Sequence, residues 1–254
     1  MPLALARPRR ISWPGWARAV IRIACMAVLL LACIPLFYLH RLVSRHNPWP
    51  RVFLSGVTWI AGVDLEYRGR KAAGGVFLLA NHVSWIDIPA LSAATGTAFV
   101  GHDGLASMPL LKWLCQMNDT VFVARHDRAS VARQVEDVRT ALSETGALAI
   151  FPEGTTSDGT GLLPFKSSLL SAFEPLPAGI AIQPVLLDYG PEAAQIAWIG
   201  EEHGLDNFLR ILARGRPVKV VVHFLPPLAG AELENRKTIA QAAREALHRE
   251  LASH

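Results

Sequence analysis

Cysteine is scarce in this chain, charge is thin, and the usual nucleotide and metal signatures are missing. Each shortage removes a class of function. The three cysteines, Cys25, Cys33 and Cys115, form no C-x-x-C pair. A disulfide framework is therefore not expected, and the thiols read as reduced packing residues of a protein whose working face is cytoplasmic. Nine histidines include no H-x-x-x-H or H-E-x-x-H set, so no metal site is expected. Neither a G-x-G-x-x-G turn nor a Walker loop occurs, which argues against nucleotide redox chemistry and phosphoryl transfer. The formal net charge is +4, yet no Lys/Arg run is interleaved with aromatics, as a base-stacking groove requires. Nucleic acid is not an expected partner; an anionic lipid surface is.

What the chain has in excess is apolar sequence. Charged residues make up 18% and hydrophobic residues 51%, against about a quarter charged in a typical soluble domain. Part of that excess is local. Residues 23–39 carry no charge; such a run is about 25 Å of helix, at the low edge of what a hydrocarbon core of about 30 Å requires. Pro35 lies inside it and is expected to kink or end the helix. A short span and a segment dipping into one leaflet both fit. Arg7, Arg9, Arg10, Arg18 and Arg22 precede the run, and Arg41, Arg45 and Arg51 follow it. Positive charge on both flanks sets no orientation and favours an anchor whose two ends share one face of the membrane. No small-x-small cleavage site follows, which argues against a secretory leader. Trp13, Trp16, Tyr38 and Trp49 suit the interface. Residues 1–54 read as a membrane anchor with basic and aromatic flanks, and residues 55–254 as one catalytic domain.

Beyond the anchor, strand and helix patterns alternate. Short apolar, β-branched segments at 63–67, 76–79, 97–100, 120–125, 147–151, 180–187 and 218–224 read as strands. Helical stretches are expected at about 87–94, 108–117, 128–144, 205–213 and 232–250. In 128–144, Val131, Val135, Val138 and Leu142 mark one face, and Thr145-Gly146 closes the helix. The alternation predicts an α/β domain: a mixed sheet flanked by helices, behind an N-terminal membrane-anchoring helix.

One turn carries the most chemistry. The strand ending at Ala80 runs into Asn81-His82-Val83-Ser84-Trp85-Ile86-Asp87. In a continuous helix, five positions rotate by about 140°, so His82 and Asp87 would not share a face. They meet if His82 lies in a turn and Asp87 in the helix that follows. Asp87 then fixes the imidazole tautomer and stabilises the imidazolium, and the other ring nitrogen serves as general base toward a hydroxyl. On its own this spacing is weak, since a core histidine beside a capping aspartate gives the same pattern. A second apolar strand runs into Pro152-Glu153-Gly154-Thr155-Thr156-Ser157. There Gly154 allows close backbone approach, the hydroxyls offer polar contacts, and Glu153 suits an acceptor hydroxyl or amine. A glycine turn with a helix cap is the bland reading. Arg125, just past a strand end, suits a bidentate phosphate or carboxylate clamp or a surface salt bridge.

The stretches Asn81-His82-x4-Asp87, Phe122-Val123-Ala124-Arg125, Phe151-Pro152-Glu153-Gly154-Thr155 and Ile182-Gln183-Pro184-Val185 occur in the order and spacing of the four blocks of glycerolipid acyltransferases. From about residue 55 to 225 the chain resembles the 1-acylglycerol-3-phosphate acyltransferase family. That resemblance implies a His82–Asp87 pair driving direct attack on acyl-CoA or acyl carrier protein, with no covalent acyl-enzyme and no cofactor beyond this co-substrate. It implies a lysolipid acceptor bound by Arg125, Glu153, Gly154 and Thr155, and work among membrane lipids at the cell inner membrane, with the catalytic domain facing the cytoplasm. Three positions depart from the phosphatidate-forming pattern: Thr156 stands where Arg is typical, Asp119 where Gly is usual, and His102 where Lys is often found. A lost cation and a gained acid weaken the case for a phosphate on the acceptor. The Thr155-Thr156 form, followed by Leu163-Pro164-Phe165-Lys166, is similar to the branch that acylates lyso-ornithine lipid. There Arg125 or Lys166 would hold the carboxylate, and Asp119 or Glu153 the amine.

Ser84 invites a Ser-His-Asp hydrolase, but no G-x-S-x-G elbow exposes a nucleophile. A non-catalytic lipid-binding protein on the same fold predicts a broken His-Asp pair or Glu-Gly loop, and both are intact here. A transacylase working between two phospholipids without CoA stays open.

Overall fold

The computed structural model describes residues 11–44, 46–102, 109–123, 138, 140–173, 176 and 179–253. Two helices open the chain, α1 (Trp13–Arg41) and α2 (Trp49–Ala61). The strands among the described residues are β1 (Val63–Arg68), β2 (Val76–Ala80), β3 (Ala98–His102), β4 (Val121–Val123), β5 (Ala147–Ile150), β6 (Ala181–Asp188) and β7 (Val218–Phe224). Helices α3 (Asp87–Thr95), α4 (Pro109–Met117), α5 (Ala193–Ile196), α6 (Gly204–Leu212) and α7 (Arg236–Leu251) lie between and after them. A 3₁₀ segment spans Ser167–Phe173.

The strands form one mixed sheet in the order β1-β7-β6-β2-β5-β3-β4. Pairing is parallel from β6 through β2, β5 and β3 to β4. Between β6 and β7 it is antiparallel, and β1 runs parallel to β7. The C-terminal ends of β2, β5 and β6 therefore share one edge, where an α/β sheet ordinarily places its ligand. β2 is buried along its whole length, so its Val-Phe-Leu-Leu-Ala run is apolar on both faces, as a central parallel strand requires. On one face Leu78 and Ala80 pack with Ile86, just before α3, and with Leu91, Ile196 and Ile211 of α3, α5 and α6. On the other, Phe77 and Leu79 pack with Leu170, Ile239 and Ala243. Each buried Leu, Ile or Phe among these contributes about 1.5–3 kcal/mol.

The α/β expectation holds, with local differences. The helix expected at 128–144 and the end of the strand expected at 120–125 lie largely outside the described residues; residues 140–145 are helical and Gly146 (φ 69°) ends that helix. The helix expected at 232–250 begins later, at Arg236, where the Asn235 side chain accepts from the N–H groups of Lys237 and Thr238. Pro35 does not end α1. The helix continues over 29 residues, about 43 Å, because a proline inside a long apolar helix forfeits one backbone bond while the flanking turns keep theirs. Helix α2 has no counterpart in the sequence reading and runs through residues 54 and 55. It packs along α1, and Gly56 admits the Leu29 side chain of α1 where any Cβ would collide.

Within the apolar stretch of α1, of mean hydropathy 2.6, only 17% of residues are buried. A helix of the protein core would be mostly buried. Its N-terminal turns instead rest on α6. Arg18 Nε donates to Ala213 O at 3.1 Å, and Arg22 Nη1 to Leu212 O at 2.9 Å and Arg214 O at 3.2 Å. These cations meet the carbonyls left open at a helix C-terminus, a use the flanking-charge pattern did not reveal.

Candidate active site

His82 follows β2 by two residues, and Asp87 is the first residue of α3. The intervening turn folds back so that Asp87 Oδ2 accepts from His82 Nδ1 at 2.6 Å, from Val83 N at 2.6 Å and from Ser84 N at 2.9 Å. The other oxygen, Oδ1, accepts from the phenol of Tyr189, just past β6. Asp87 is fully buried, whereas the His82 side chain keeps 17% of its surface exposed. With Nδ1 held by a carboxylate, Nε2 is the ring nitrogen left for a substrate proton. Burial, reinforced by the Asp87 charge, holds the Tyr189 phenol well above its ordinary value. Tyr189 therefore acts as a donor at neutral pH.

Register brings the third block to the same place. Leu79 pairs with Ile150, so the residue after β5, Phe151, lies beside the residues after β2. The Phe151 ring stacks on His82 with centroids 4.2 Å apart and planes 16° from parallel. The following loop grips the His82 backbone from both sides. Glu153 Oε1 accepts from His82 N at 3.1 Å, while His82 O accepts from Ser157 N at 2.7 Å and Ser157 Oγ at 3.1 Å. The second Glu153 oxygen accepts from Leu163 N at 3.1 Å. Burial pushes this carboxyl up to about 7, against the opposing pull of the His82 and Leu163 amides.

The sequence-predicted residues are thus distributed unevenly. His82 and Asp87 meet. Glu153 is 1% exposed with both oxygens on the protein's own backbone, so it braces the turn rather than facing an acceptor. Gly154 and Thr155 are exposed, and Gly154 (φ 69°) adopts the left-handed conformation with Lys166 Nζ 3.1 Å from where a Cβ would stand. The Lys166 N–H donates to Pro152 O at 2.8 Å, which places this exposed lysine on the same loop. The Thr156 hydroxyl donates to Trp198 O. Arg125 lies outside the described residues. Asp119 is a correction: it precedes β4, whereas His82 follows β2, and the two strands run parallel. They are three strand spacings apart across the sheet, roughly 14 Å; through the pairings of Leu79 with Ile150, Phe99 with Ala149 and Val100 with Val121, β4 begins level with Leu79, so Asp119 stands a few residues short of His82 along the strands. Asp119 is therefore placed well to the side of His82 and does not adjoin it.

Nothing local in the sequence marks Tyr189 as a site residue, and the hydroxyl that the third-block loop offers at Ser157 turns to the His82 carbonyl rather than to a ligand. Asn81 likewise ties the site together: its side chain donates to Leu187 O at 3.0 Å and accepts from Leu187 N at 2.7 Å, locking the turn to β6. Gln183 of the fourth block does similar work at a distance, accepting from Ala72 N and donating to Arg70 O and Leu225 O. Ser84 is fully buried and donates to Asn207 Oδ1, so it is not an exposed nucleophile.

A family model described as Acyltransferase matches residues 64–188. The chain is 32% identical to the lyso-ornithine lipid O-acyltransferase of Rhodobacter capsulatus, over 92% of this chain and 90% of that one. It is also 32% identical to the 1-acyl-sn-glycerol-3-phosphate acyltransferase of Neisseria gonorrhoeae, over 73% of each. Among solved structures, the 1-acyl-sn-glycerophosphate acyltransferase PlsC of Thermotoga maritima superposes with a TM-score of 0.65 at 18% identity, covering 94% of this chain and 97% of that one. That likeness extends to the fold.

Proposed function

Since this chain belongs to the acyltransferase family and is a lysolipid acyltransferase, we propose that His82 is its general base and that a fatty acyl thioester is its donor. The observation that carries this is the His82–Asp87 contact, with Nδ1 engaged at 2.6 Å on a fully buried carboxylate. The acceptor hydroxyl gives its proton to Nε2 as its oxygen attacks the thioester carbonyl. The tetrahedral intermediate collapses, the carbon–sulfur bond breaks, and the thiolate leaves with the proton held by His82. The products are an ester and a thiol, either CoA or acyl carrier protein. Asp87 keeps the imidazole oriented and balances the imidazolium charge in a buried setting, where that charge is otherwise costly.

Helix α1 holds the protein to the membrane in which its long-chain substrates reside. Its apolar stretch is mostly unburied, and Trp13, Trp16 and Trp59 of α1 and α2 are exposed. The inner membrane, with the site on the cytoplasmic side, agrees with the reduced cysteines.

The acceptor is a lysolipid with an amino-acid headgroup, of the lyso-ornithine kind. Thr156 stands where a phosphate-binding Arg would be, and its hydroxyl proton is turned to Trp198 O. Lys166, exposed beside Gly154, faces the acceptor carboxylate.

The test uses full-length protein in vesicles with radiolabelled acyl-CoA or acyl carrier protein, offered lyso-ornithine lipid and lysophosphatidate side by side. His82→Ala is expected to slow transfer by about 10²- to 10⁴-fold while vesicle binding persists. An alanine variant at full rate would remove His82 from the reaction, and transfer without any thioester would replace the donor with a phospholipid.

A further inference from the structure

An acceptor with a free amine needs a negative partner within reach of His82. Glu153 is buried with its oxygens committed, and Asp119 lies three strand spacings to the side. A groove of about 420 Å³ runs along the third-block loop, and its lining includes Thr156, Ser157, Asp158, Thr160, Leu163 and Ile199. It is fastened directly to the base. Ser157 bonds the His82 carbonyl through both N and Oγ. Two residues on, Gly159 (φ 73°) is pressed so close to Val83 that a Cβ there would stand 3.2 Å from Val83 Cγ1.

The polar groups of the groove have one-sided chemistry. The hydroxyl proton of Thr156 goes to Trp198 O, that of Ser157 to His82 O, and that of Thr160 to Asp158 Oδ1 at 2.8 Å. What these hydroxyls still offer a ligand is lone pairs. The charge in the lining is the Asp158 carboxylate, whose Oδ1 also accepts from Thr160 N at 2.9 Å. Among the described residues, its Oδ2 accepts from no donor. Leu163 and the exposed Ile199 supply apolar walls. Acceptor oxygens, one negative charge and apolar flanks suit a short methylene chain ending in an ammonium group, and they repel a phosphomonoester dianion. Lys166, on the Gly154 side of the same loop, carries the opposite charge. The same loop thus presents one group of each sign, as a zwitterionic headgroup requires. Asp188, another half-buried acid at this end of the sheet, lies outside the groove lining.

We propose that Asp158 is the ammonium subsite of the acceptor headgroup, a specificity-determining residue that favours amino-acid-headed lysolipids over phosphate-headed ones; this rests on the acceptor class proposed above. The test is Asp158→Asn in full-length protein. Asn keeps an oxygen for the Thr160 turn, so the loop is retained while the charge goes. Three acceptors are compared: lyso-ornithine lipid, the same lipid with its amine acetylated, and lysophosphatidate. In the wild type, acetylation is expected to raise KM roughly tenfold or more, as loss of a charge-assisted bond does. In Asp158→Asn the free-amine lipid should show that same raised KM, the acetylated lipid should be unchanged, and the KM for lysophosphatidate should fall. Asp188→Asn should leave all three as in the wild type. If Asp158→Asn still discriminates the free from the acetylated amine, the subsite assignment is wrong while the acceptor class stands. If the wild type ignores lyso-ornithine lipid and acylates lysophosphatidate, the acceptor class fails and the subsite with it.

Discussion

Tyr189 and Asp87, 102 residues apart, meet where the ends of β6 and β2 come together: the phenol donates to Asp87 Oδ1, while Oδ2 serves His82 Nδ1 and two backbone N–H groups. The carboxylate is thereby held from both oxygens, itself out of reach of solvent. A buried carboxylate with one oxygen unpaired is free to rotate and costly to keep charged. Tyr189 removes both liabilities.

Tyr189→Phe should therefore disturb orientation rather than binding. The expected outcome is a fall in kcat of roughly tenfold with KM for either substrate little changed, together with about 1.5–3 kcal/mol lost from stability, as for a bond to a charged group. Steady-state kinetics and urea unfolding of the solubilised protein check both. An unchanged kcat would make Tyr189 a packing residue alone.

Glu153 sets a pH dependence of stability. Its carboxyl rises from an ordinary 4.5 to about 7 on folding, so folding favours the protonated form. Its contribution is present in full below about 4.5, the unfolded value, and is lost as pH rises through about 7. The difference is on the order of 3 kcal/mol. Glu153→Gln, which cannot ionise, should therefore gain on the wild type between pH 5 and pH 8 even though it loses one of the two backbone contacts. Chemical unfolding at both pH values measures the gain; parallel pH profiles would show that Glu153 does not titrate on folding.

The His82–Asp87 pair was legible because a five-residue separation is productive in one local setting, a strand–turn–helix, and the flanking apolar run announced it. The contacts of Tyr189, Asn81 and Ser157 are not legible in the sequence, because they depend on which strands lie side by side, and the order β6-β2-β5 is not written in any one segment. Glu153 was found but given the wrong orientation, since a motif shows which residue is present and not which way its carboxylate faces. Helix α2 carries no such local mark: Trp49 reads only as an interface aromatic, and Pro50 occupies the first turn, where its missing N–H costs nothing.

Arg18 and Arg22 fasten α1 to the end of α6 through the carbonyls of Ala213, Leu212 and Arg214. Replacing both by alanine should release about 1–2 kcal/mol of that docking and raise amide exchange in the last turn of α6. Partition into vesicles should persist, because the apolar stretch is untouched. Loss of vesicle binding would assign the two arginines to the lipid surface instead.

Asp119 offers the sharpest separation of a structural role from a binding one. It is the non-glycine residue with positive φ among the described residues, at 50°, a conformation that costs an ordinary side chain about 1–2 kcal/mol. Burial and the nearby Glu144 push its carboxyl up to about 6, with Arg41 pulling the other way. Above that pH an ionised, poorly compensated acid sits in a strained turn. Asp119→Gly removes strain and charge together, at the expense of added freedom in the unfolded chain. A net gain of about 1 kcal/mol is expected at pH 8 and less at pH 5, where the wild-type acid is protonated. Since this turn lies three strand spacings from His82 across the sheet, the KM for every acceptor should stay as it was. Thermal unfolding at the two pH values, paired with the three-acceptor assay, reads both. A raised KM for the amine-bearing lipid would return Asp119 to the headgroup site, and would mean that β4 and β2 are not related as the sheet order has them.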